Sequence, residues 1–93
     1  MCTLDTIEYL MDDMVAGFEE AWNTLESQDA FWDAQSRLRE CLQGCLDPDQ
    51  FYTADVLLDA VCDGMEEAWT NLESDDAFWE AQNNLREYIR SIF

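Results

Sequence analysis

The chain has 93 residues, which suits a single domain. Its 22 acidic residues are balanced by only four arginines, with no lysine and no histidine, so the net charge is −18. Such a charge excludes direct binding of DNA, RNA or an anionic membrane, and the 48% of hydrophobic residues exclude a disordered acidic chain.

Segment 1–10 is where a signal peptide would begin, but it carries acids where such a peptide needs bases. No apolar run approaches the ~20 residues that a membrane span requires. We therefore expect a cytoplasmic protein without membrane contact.

One stretch of the chain occurs twice. Residues 17–40 and 64–87 align at a constant offset of 47, and 17 of the 24 aligned positions are identical. An internal repeat of this length predicts two copies of one structural unit. We expect one domain over residues 1–93, with a first helical hairpin at 5–44 and a second at 47–93.

The first predicted helix begins near Asp5, because Asp5 and Glu8 have the spacing of a capping box. Apolar residues then follow at alternating steps of four and three, which is typical of one helical face. They are Ile7, Met11, Met14, Phe18, Ala21 and Leu25. The next good stripe starts six positions later at Phe31, so the helical phase breaks. We expect a tight turn at 26–28 with Ser27 as N-cap; one long kinked helix is the alternative.

The second predicted helix carries the stripe Phe31, Ala34, Leu38, Cys41 and Cys45. It should end at Gly44, since glycine favours the position just after a helix. Asp47 and Pro48 then supply an N-cap and a first residue for the third helix. The third and fourth helices repeat the stripes at the same offset. Their members are Phe51, Ala54, Leu58, Val61, Met65, Ala68 and Leu72, then Phe78, Ala81, Leu85, Tyr88 or Ile89, and Ile92.

The cysteines show no C-x-x-C spacing. Cys41, Cys45 and Cys62 occupy positions that the other copy fills with apolar residues, which predicts buried, reduced thiols. A disulfide or a metal site is the alternative, although a bridge between Cys41 and Cys45 on one helix would have poor geometry.

A single hairpin with one apolar face cannot cover that face alone, but two copies can cover each other. The expected fold is therefore all-α, an antiparallel four-helix arrangement built from two duplicated helical hairpins with pseudo-two-fold symmetry. Alternatively, the hairpins pair across a homodimer, because duplicated units carry self-complementary faces. Gly17 and Gly64, at matching positions inside helices, should permit close helix packing.

Enzymatic functions have little support. There is no histidine to act as a base or metal ligand, no lysine for covalent chemistry and no glycine-rich phosphate loop. Asp47, Asp49 and Asp55 suggest an EF-hand loop, but Phe51 stands at a ligand position and Tyr52 replaces the required glycine. We predict no catalytic residues, no cofactor and no metal site.

The acids form rows when the sequence is placed on helices. Seven-residue steps align acids along the first helix and again along the third, with further acids beside each row. The predicted partner-binding residues are Asp12, Glu19, Glu20, Glu26, Asp59, Glu66, Glu67, Glu73, Trp32 and Trp79. The two tryptophans follow the stripe residues Phe31 and Phe78 by one position. Exposed, they would be anchors in an interface; packing across the bundle is the alternative.

Ordinary solvation explains why acids face outward, and acids near helix N-termini with arginines near C-termini suit the helix dipole. Solvation does not explain the imbalance of charge. A solvated helix gains stability by placing lysine one turn from glutamate, and this chain contains no lysine.

The rows of carboxylates predict a small acidic inhibitor or binding protein that imitates nucleic-acid phosphates, as anti-restriction and anti-CRISPR inhibitors do. Its partner would be a basic protein, either a nucleic-acid-binding protein or a nuclease complex. A groove built to neutralise phosphates accepts a rigid anion with similar charge spacing. The alternatives are an acidic adaptor for a basic protein, and a halophilic protein whose acids only solvate its surface.

Overall fold

The computed structural model describes residues 3–24, 28–71 and 74–93, and every regular element over these residues is an α-helix. The helices are α1 (Leu4–Thr24), α2 (Asp29–Cys45), α3 (Pro48–Asn71) and α4 (Asp76–Ile92). α1 packs along α2 and α3 packs along α4, so the two predicted hairpins are confirmed and one long kinked helix is excluded. The molecule measures 36 × 20 × 17 Å. The predicted cap at Ser27 and the stripe residues Leu25 and Leu72 lie outside the described residues.

Threonine, rather than aspartate, caps the first helix. The Oγ1 of Thr3 accepts a hydrogen bond of 3.2 Å from the backbone N–H of Thr6, and α1 begins at Leu4. Asp5 therefore lies in the first turn, where its charge suits the positive end of the helix dipole. The predicted capping box is wrong because Glu8 does not turn back to the helix start; it pairs with an arginine of α4.

The junction between the hairpins is shorter than predicted. α2 continues one residue beyond Gly44, and Leu46 then takes an extended conformation with φ −101° and ψ 152°. Gly44 is thus an exposed helical residue, and the prediction that it follows the helix end is wrong. α3 begins at Pro48 as predicted, and Gln50 Oε1 accepts a 3.2 Å hydrogen bond from the backbone N–H of Asp47.

The predicted apolar stripes form the core. Their buried members are Ile7, Met11, Met14, Phe18, Ala21, Phe31, Ala34, Leu38, Ala54, Leu58, Val61, Met65, Ala68, Phe78, Ala81, Leu85 and Ile89. Leu42 is also fully buried, although no predicted stripe included it. The stripe of α2 continues from Leu38 by a step of four, which leaves Cys41 and Cys45 half-buried at its edge.

The cysteines follow the expectation only in part. Cys62 is a buried thiol on α3, as predicted. Cys41 is disulfide-bonded, so the expectation of a reduced thiol is wrong for this residue.

Gly17 and Gly64 bring the two helices of each hairpin into backbone contact. A Cβ at Gly17 would lie 2.8 Å from the backbone N of Phe31, and a Cβ at Gly64 would lie 2.7 Å from the backbone N of Phe78. Both distances are shorter than side chains adopt, so only glycine fits without a shift. The predicted role of these glycines in close helix packing is confirmed.

Phenylalanine rings join the two hairpins. The ring of Phe18 on α1 stacks on that of Phe78 on α4, with centroids 3.8 Å and planes 13° apart. Phe31 on α2 meets the same Phe78 ring at 6.1 Å and 62°. Phe31 and Phe78 both lie in the first turn of their helices, so the turns of the two hairpins lie at one end of the molecule. We term this half of the molecule the turn end; its described residues are 17–24, 28–36, 64–71 and 74–83.

Candidate interaction surface

The predicted rows lie on solvent-facing parts of α1 and α3. Their described members are all exposed: Asp12, Glu19 and Glu20 on α1, and Asp59, Glu66 and Glu67 on α3. Each member on α1 has its counterpart on α3 at the offset of 47. Glu26 and Glu73 lie outside the described residues. The two rows therefore exist as surfaces, and their neighbours decide which carboxylates are open to a partner.

Arg39 joins the first hairpin to the second. Its guanidinium reaches from α2 to α3, where it pairs with Asp55 and, at 3.0 Å, with Asp59. One turn earlier on α2, the Oε1 of Gln35 accepts a 3.3 Å hydrogen bond from the same guanidinium. We term these four residues the first clasp.

Arg86 makes the equivalent contacts from the second hairpin to the first. Its guanidinium reaches from α4 to α1, where it lies 3.1 Å from Asp12 and 3.7 Å from Glu8. The Oε1 of Gln82 accepts hydrogen bonds of 3.3 and 3.4 Å from this arginine. These four residues are the second clasp, and each has its counterpart in the first clasp at the offset of 47. Arg90 adds an ion pair of 2.6 Å with Glu8.

The clasps give Asp12 and Asp59 a structural role that was not predicted. Their side chains are 72% and 61% exposed, so they contribute to the surface field, but each carboxylate also holds an arginine of the other hairpin. The sequence interpretation assigned the arginines to helix dipoles alone. The signal for the clasps was the pairing of acids four residues apart, at 8 and 12 and at 55 and 59, which puts two carboxylates on one helical face.

Gln35 and Gln82 are the other residues that the sequence interpretation missed. Gln82 is only 6% exposed, and its side chain both accepts from Arg86 and donates a 3.3 Å hydrogen bond to the Trp79 carbonyl. Each glutamine orients the arginine one turn later on its helix. The identical Q-x-x-x-R spacing in both copies was the available signal.

Removal of a clasp arginine should weaken the joint between the hairpins. We expect Arg86→Gln to lower the free energy of unfolding by about 1 kcal/mol, the upper end for a partly exposed ion pair. The reason is that the Arg86 side chain is only 17% exposed and lies between two acids. Urea denaturation of Arg86→Gln, of Glu8→Gln and of the double variant measures the coupling between the two side chains.

Arg37→Gln is the matched control for the clasp. Arg37 belongs to neither clasp, so its replacement removes the same charge without breaking the joint. An equal loss of stability in Arg37→Gln and Arg86→Gln would show that net charge alone sets the effect.

The turn end holds acids without arginines. Segments 17–36 and 64–83 of the sequence, whose described residues form this half of the hairpins, contain 11 of the 22 acids and none of the four arginines. Their net charge is therefore −11, against −7 for the rest of the chain. Glu19, Glu20, Glu66 and Glu67 belong to this half, and none of them pairs with an arginine among the described residues. The open part of each row lies at the turn end.

Each hairpin has an outer groove where its glycine brings the helices together. The groove between α3 and α4 has a volume of about 300 Å³, and its acids are Asp63, Glu67 and Glu80. The groove between α1 and α2 has a volume of about 230 Å³, and its acids are Asp13, Glu20 and Asp33. Arg37 lines the second of these grooves, whereas Asn84 stands at the equivalent position of the first. Carboxylates therefore extend from the rows into both grooves.

Trp32 and Trp79 lie at the edge of the core. Both are half-buried, and each indole packs edge-on against the phenylalanine that precedes it, at 5.1 and 5.2 Å. The indole N–H of Trp32 donates a 2.9 Å hydrogen bond to Gln28, and that of Trp79 donates a 2.7 Å hydrogen bond to Asp75. The rings are fixed in position and partly accessible, and their role as interface anchors stays a prediction.

No protein-family model, curated protein or solved structure matches this chain. No described helix is long and apolar enough to cross a membrane. No group of three or more cysteine or acidic side chains suited to a metal ion occurs in the described parts of the chain. A function has to be inferred from the charge and geometry of the molecule itself.

The Cys62 thiol lies beside the first clasp. It donates a weak 3.8 Å hydrogen bond to Gln35 Oε1, and burial raises the pKa of the thiol from 9.0 to about 11, against the opposing effect of Arg39. The protonated thiol stabilises the folded protein, because the pKa of Cys62 is higher in the folded state than in the unfolded state. This stabilisation is complete below pH 9.0 and is lost as the pH rises through about 11.

Cys62→Val should abolish this loss of stability at high pH, because valine has no group that ionises. Valine should also fit the site, since Val15 fills the equivalent position in the first hairpin. Urea denaturation of the protein and of the variant between pH 9.0 and about 11 measures the difference. If the free energy of unfolding depends on pH in the same way in the two proteins, the loss of stability does not come from ionisation of the Cys62 thiol.

Proposed function

We propose that this protein is a non-enzymatic acidic inhibitor or binding protein of the DNA-mimic type. Its carboxylates occupy a basic, nucleic-acid-binding surface of a cytoplasmic partner protein or nuclease complex. The observation that carries the proposal is the charge per length. A net charge of −18 on a body 36 Å long gives one negative charge per 2 Å. Duplex DNA carries one per ~1.7 Å of its axis, so an arginine-rich groove meets a comparable field on both.

The internal duplication supports the same function, and we infer from it a pseudo-two-fold axis that relates the hairpins. The two clasps repeat each other residue by residue, as expected for two units related by such an axis. Such an axis gives four of the six carboxylates of α1 an acidic equivalent on α3, and these four are Glu8, Asp12, Glu19 and Glu20. A duplex likewise presents its phosphates in two equivalent strands, so a partner that reads both strands meets two equivalent rows.

The turn end is the part of the rows that binds in this proposal. Glu19 and Glu20 on α1, with Glu66 and Glu67 on α3, are exposed and lie in the half of the molecule that has no arginine. Asp12 and Asp59 contribute less to binding, since each already neutralises part of an arginine in a clasp. Close backbone contacts at Gly17 and Gly64 hold the helix that carries each pair of glutamates against its partner helix in the same hairpin.

The proposal is tested by neutralising these four glutamates. The row variant carries Glu19→Gln, Glu20→Gln, Glu66→Gln and Glu67→Gln, which changes the net charge from −18 to −14. Immobilised wild-type chain should capture a basic protein from host lysate at low salt, release it as salt rises and release it when duplex DNA is added. The row variant should lose this DNA-displaceable capture while circular dichroism shows an unchanged helical content.

A control variant separates the position of the charges from their number. Its substitutions are Glu40→Gln, Asp47→Asn, Asp49→Asn and Glu87→Gln, which remove the same four charges from exposed positions away from the turn end. This variant should retain most of the capture. Salt-sensitive capture that duplex DNA does not displace would contradict mimicry in favour of an acidic adaptor. Absence of any partner, together with folding that requires high salt, would contradict it in favour of halophilic adaptation.

A further inference from the structure

The joint between the two hairpins is reciprocal. The first hairpin supplies Arg39 to the second, and the second supplies Arg86 to the first. Each hairpin also supplies the pair of acids that receives the other's arginine, four residues apart on its first helix. The polar contacts of the joint therefore require that a first hairpin binds a second hairpin. They do not require that both hairpins belong to the same chain.

The connection between the hairpins is short and already extended. Only Leu46 and Asp47 separate α2 from α3, and Leu46 has the φ of −101° and ψ of 152° of an extended strand. Pro48 lacks an N–H group and cannot continue α2, so the two helices cannot fuse when the hairpins separate. So short a connection restricts the arrangements in which the two hairpins of one chain can dock. It does not restrict the docking of a hairpin onto a hairpin of another chain.

We propose that the hairpins exchange between two copies of this chain, which gives a homodimer in which the first hairpin of each copy is clasped by the second hairpin of the other. Leu46 and Asp47 are the hinge. The swapped dimer keeps both clasps and the Phe18–Phe78 stack, now made between chains. The exchange therefore changes no contact outside the hinge.

Concentration and salt set the balance between monomer and swapped dimer. A short connection gives the hairpins of one chain an effective concentration on the order of mM for each other, which favours the monomer in dilute solution. The charge of −18 on each copy further opposes association at low salt. Unfolding and refolding at high protein concentration and raised salt should shift the population toward the dimer.

Two complementary variants test the exchange. The first variant carries Arg39→Glu, and the second carries Asp55→Arg with Asp59→Arg. Each variant alone has like charges facing each other in its first clasp. In a swapped pair of the two, one joint has the native first clasp, the other has the same clasp with reversed charges, and both second clasps are native. Only a heterodimer makes all four clasps attractive.

After co-refolding, native mass spectrometry should find a 1:1 heterodimer of twice the 10.8 kDa chain mass, in at least tenfold excess over homodimers of either variant. The control replaces the first variant by Arg37→Glu, which makes the same charge change outside both clasps and should give no such excess. Wild-type chain refolded at mM concentration in high salt should give a dimer that returns to monomer after unfolding and refolding in dilute solution. Monomers in both the mixture and the concentrated wild type would overturn the proposal, as would equal heterodimer yields from the test and control mixtures.

Discussion

Truncation of Phe78 to alanine should lower the free energy of unfolding by about 3–5 kcal/mol. Phe78 is fully buried, and its ring is the one on which Phe18 and Phe31 of the other hairpin both pack. Its loss removes the hydrophobic transfer term of a large side chain and leaves a cavity between the hairpins. Urea denaturation followed by circular dichroism measures the change. A loss of this size is a large share of the ~5–15 kcal/mol that stabilises a typical domain.

The duplication supplies the matched comparison, because Phe31 is the equivalent residue of the first hairpin and is also fully buried. Phe78 stacks on Phe18, whereas the residue equivalent to Phe18 in the second hairpin is Met65, so Phe31 makes only edge-on ring contacts among the described residues. We therefore expect Phe31→Ala to cost about 0.5–1.5 kcal/mol less than Phe78→Ala, the usual value of one aromatic pair. Equal losses for the two variants would contradict an energetic role for the stack.

The two hairpins and their core were predictable because their signal is local. An apolar residue every three or four positions follows from helical geometry alone, and the stripe from Ile7 to Ala21 is buried as predicted. The duplication doubled this signal, since each position of one hairpin could be checked against its counterpart. Gly17 and Gly64 were interpretable for the same reason: matching glycines inside two predicted helices indicate a contact that both hairpins need.

The helix ends were less predictable, because competing local signals were decided by distant contacts. Asp5 and Glu8 match a capping box, but Glu8 is held by Arg90, 82 residues further along the chain. Gly44 matches a residue that follows a helix, but the backbone N–H of Leu46 still donates a 3.0 Å hydrogen bond to the Leu42 carbonyl and extends α2 past the glycine. Sequence patterns show which residues suit a helix end, but they do not show which of the competing hydrogen bonds and ion pairs forms in the folded protein.

The candidate surface was predictable as to its charge and its helices, but not as to which carboxylates are open. Seven-residue steps grouped Asp12 with Glu19 because the two share one helical face. Whether a carboxylate has a partner depends on which arginine another helix brings near, and that is a property of the packed molecule. Asp12 lies opposite Arg86, whereas Glu19 lies in the half that holds no arginine. All three arginines of the described ion pairs join one hairpin to the other.

In the proposed function, this placement of arginine separates the residues that stabilise the fold from those that bind the partner. Three of the four arginines, Arg39, Arg86 and Arg90, lie where the hairpins meet, so they offset the repulsion between two acidic units at their joint. The turn end keeps its net charge of −11 and depends on apolar contacts such as the Phe18–Phe78 stack for its cohesion. Neutralisation of glutamates there should therefore affect binding more than folding, which is why the row variant is suitable for the test of function.

Replacement of Gly64 by alanine should lower the free energy of unfolding by about 1–3 kcal/mol, the usual cost of an overpacked contact. The new Cβ would lie 2.7 Å from the backbone N and 2.8 Å from the Cα of Phe78. Backbone atoms cannot rotate away as a flexible side chain can, so α3 and α4 have to separate. That shift also moves the Phe78 ring against Phe18, and urea denaturation and the near-ultraviolet circular dichroism of the aromatic rings should both change.

Gly17→Ala and Gly44→Ala complete this experiment, because we expect them to change the free energy of unfolding in opposite directions. Gly17 has the same environment as Gly64, with a Cβ position 2.8 Å from the backbone N of Phe31, so its replacement should be destabilising to a similar degree. At Gly44 no described atom lies within 4 Å of the Cβ position, and alanine should stabilise the protein by about 0.5–1 kcal/mol through its higher helix propensity. If all three replacements stabilise the protein, the backbone contacts at Gly17 and Gly64 do not restrain the hairpins. Destabilisation at these two positions alone would show that the close approach of the helices requires glycine.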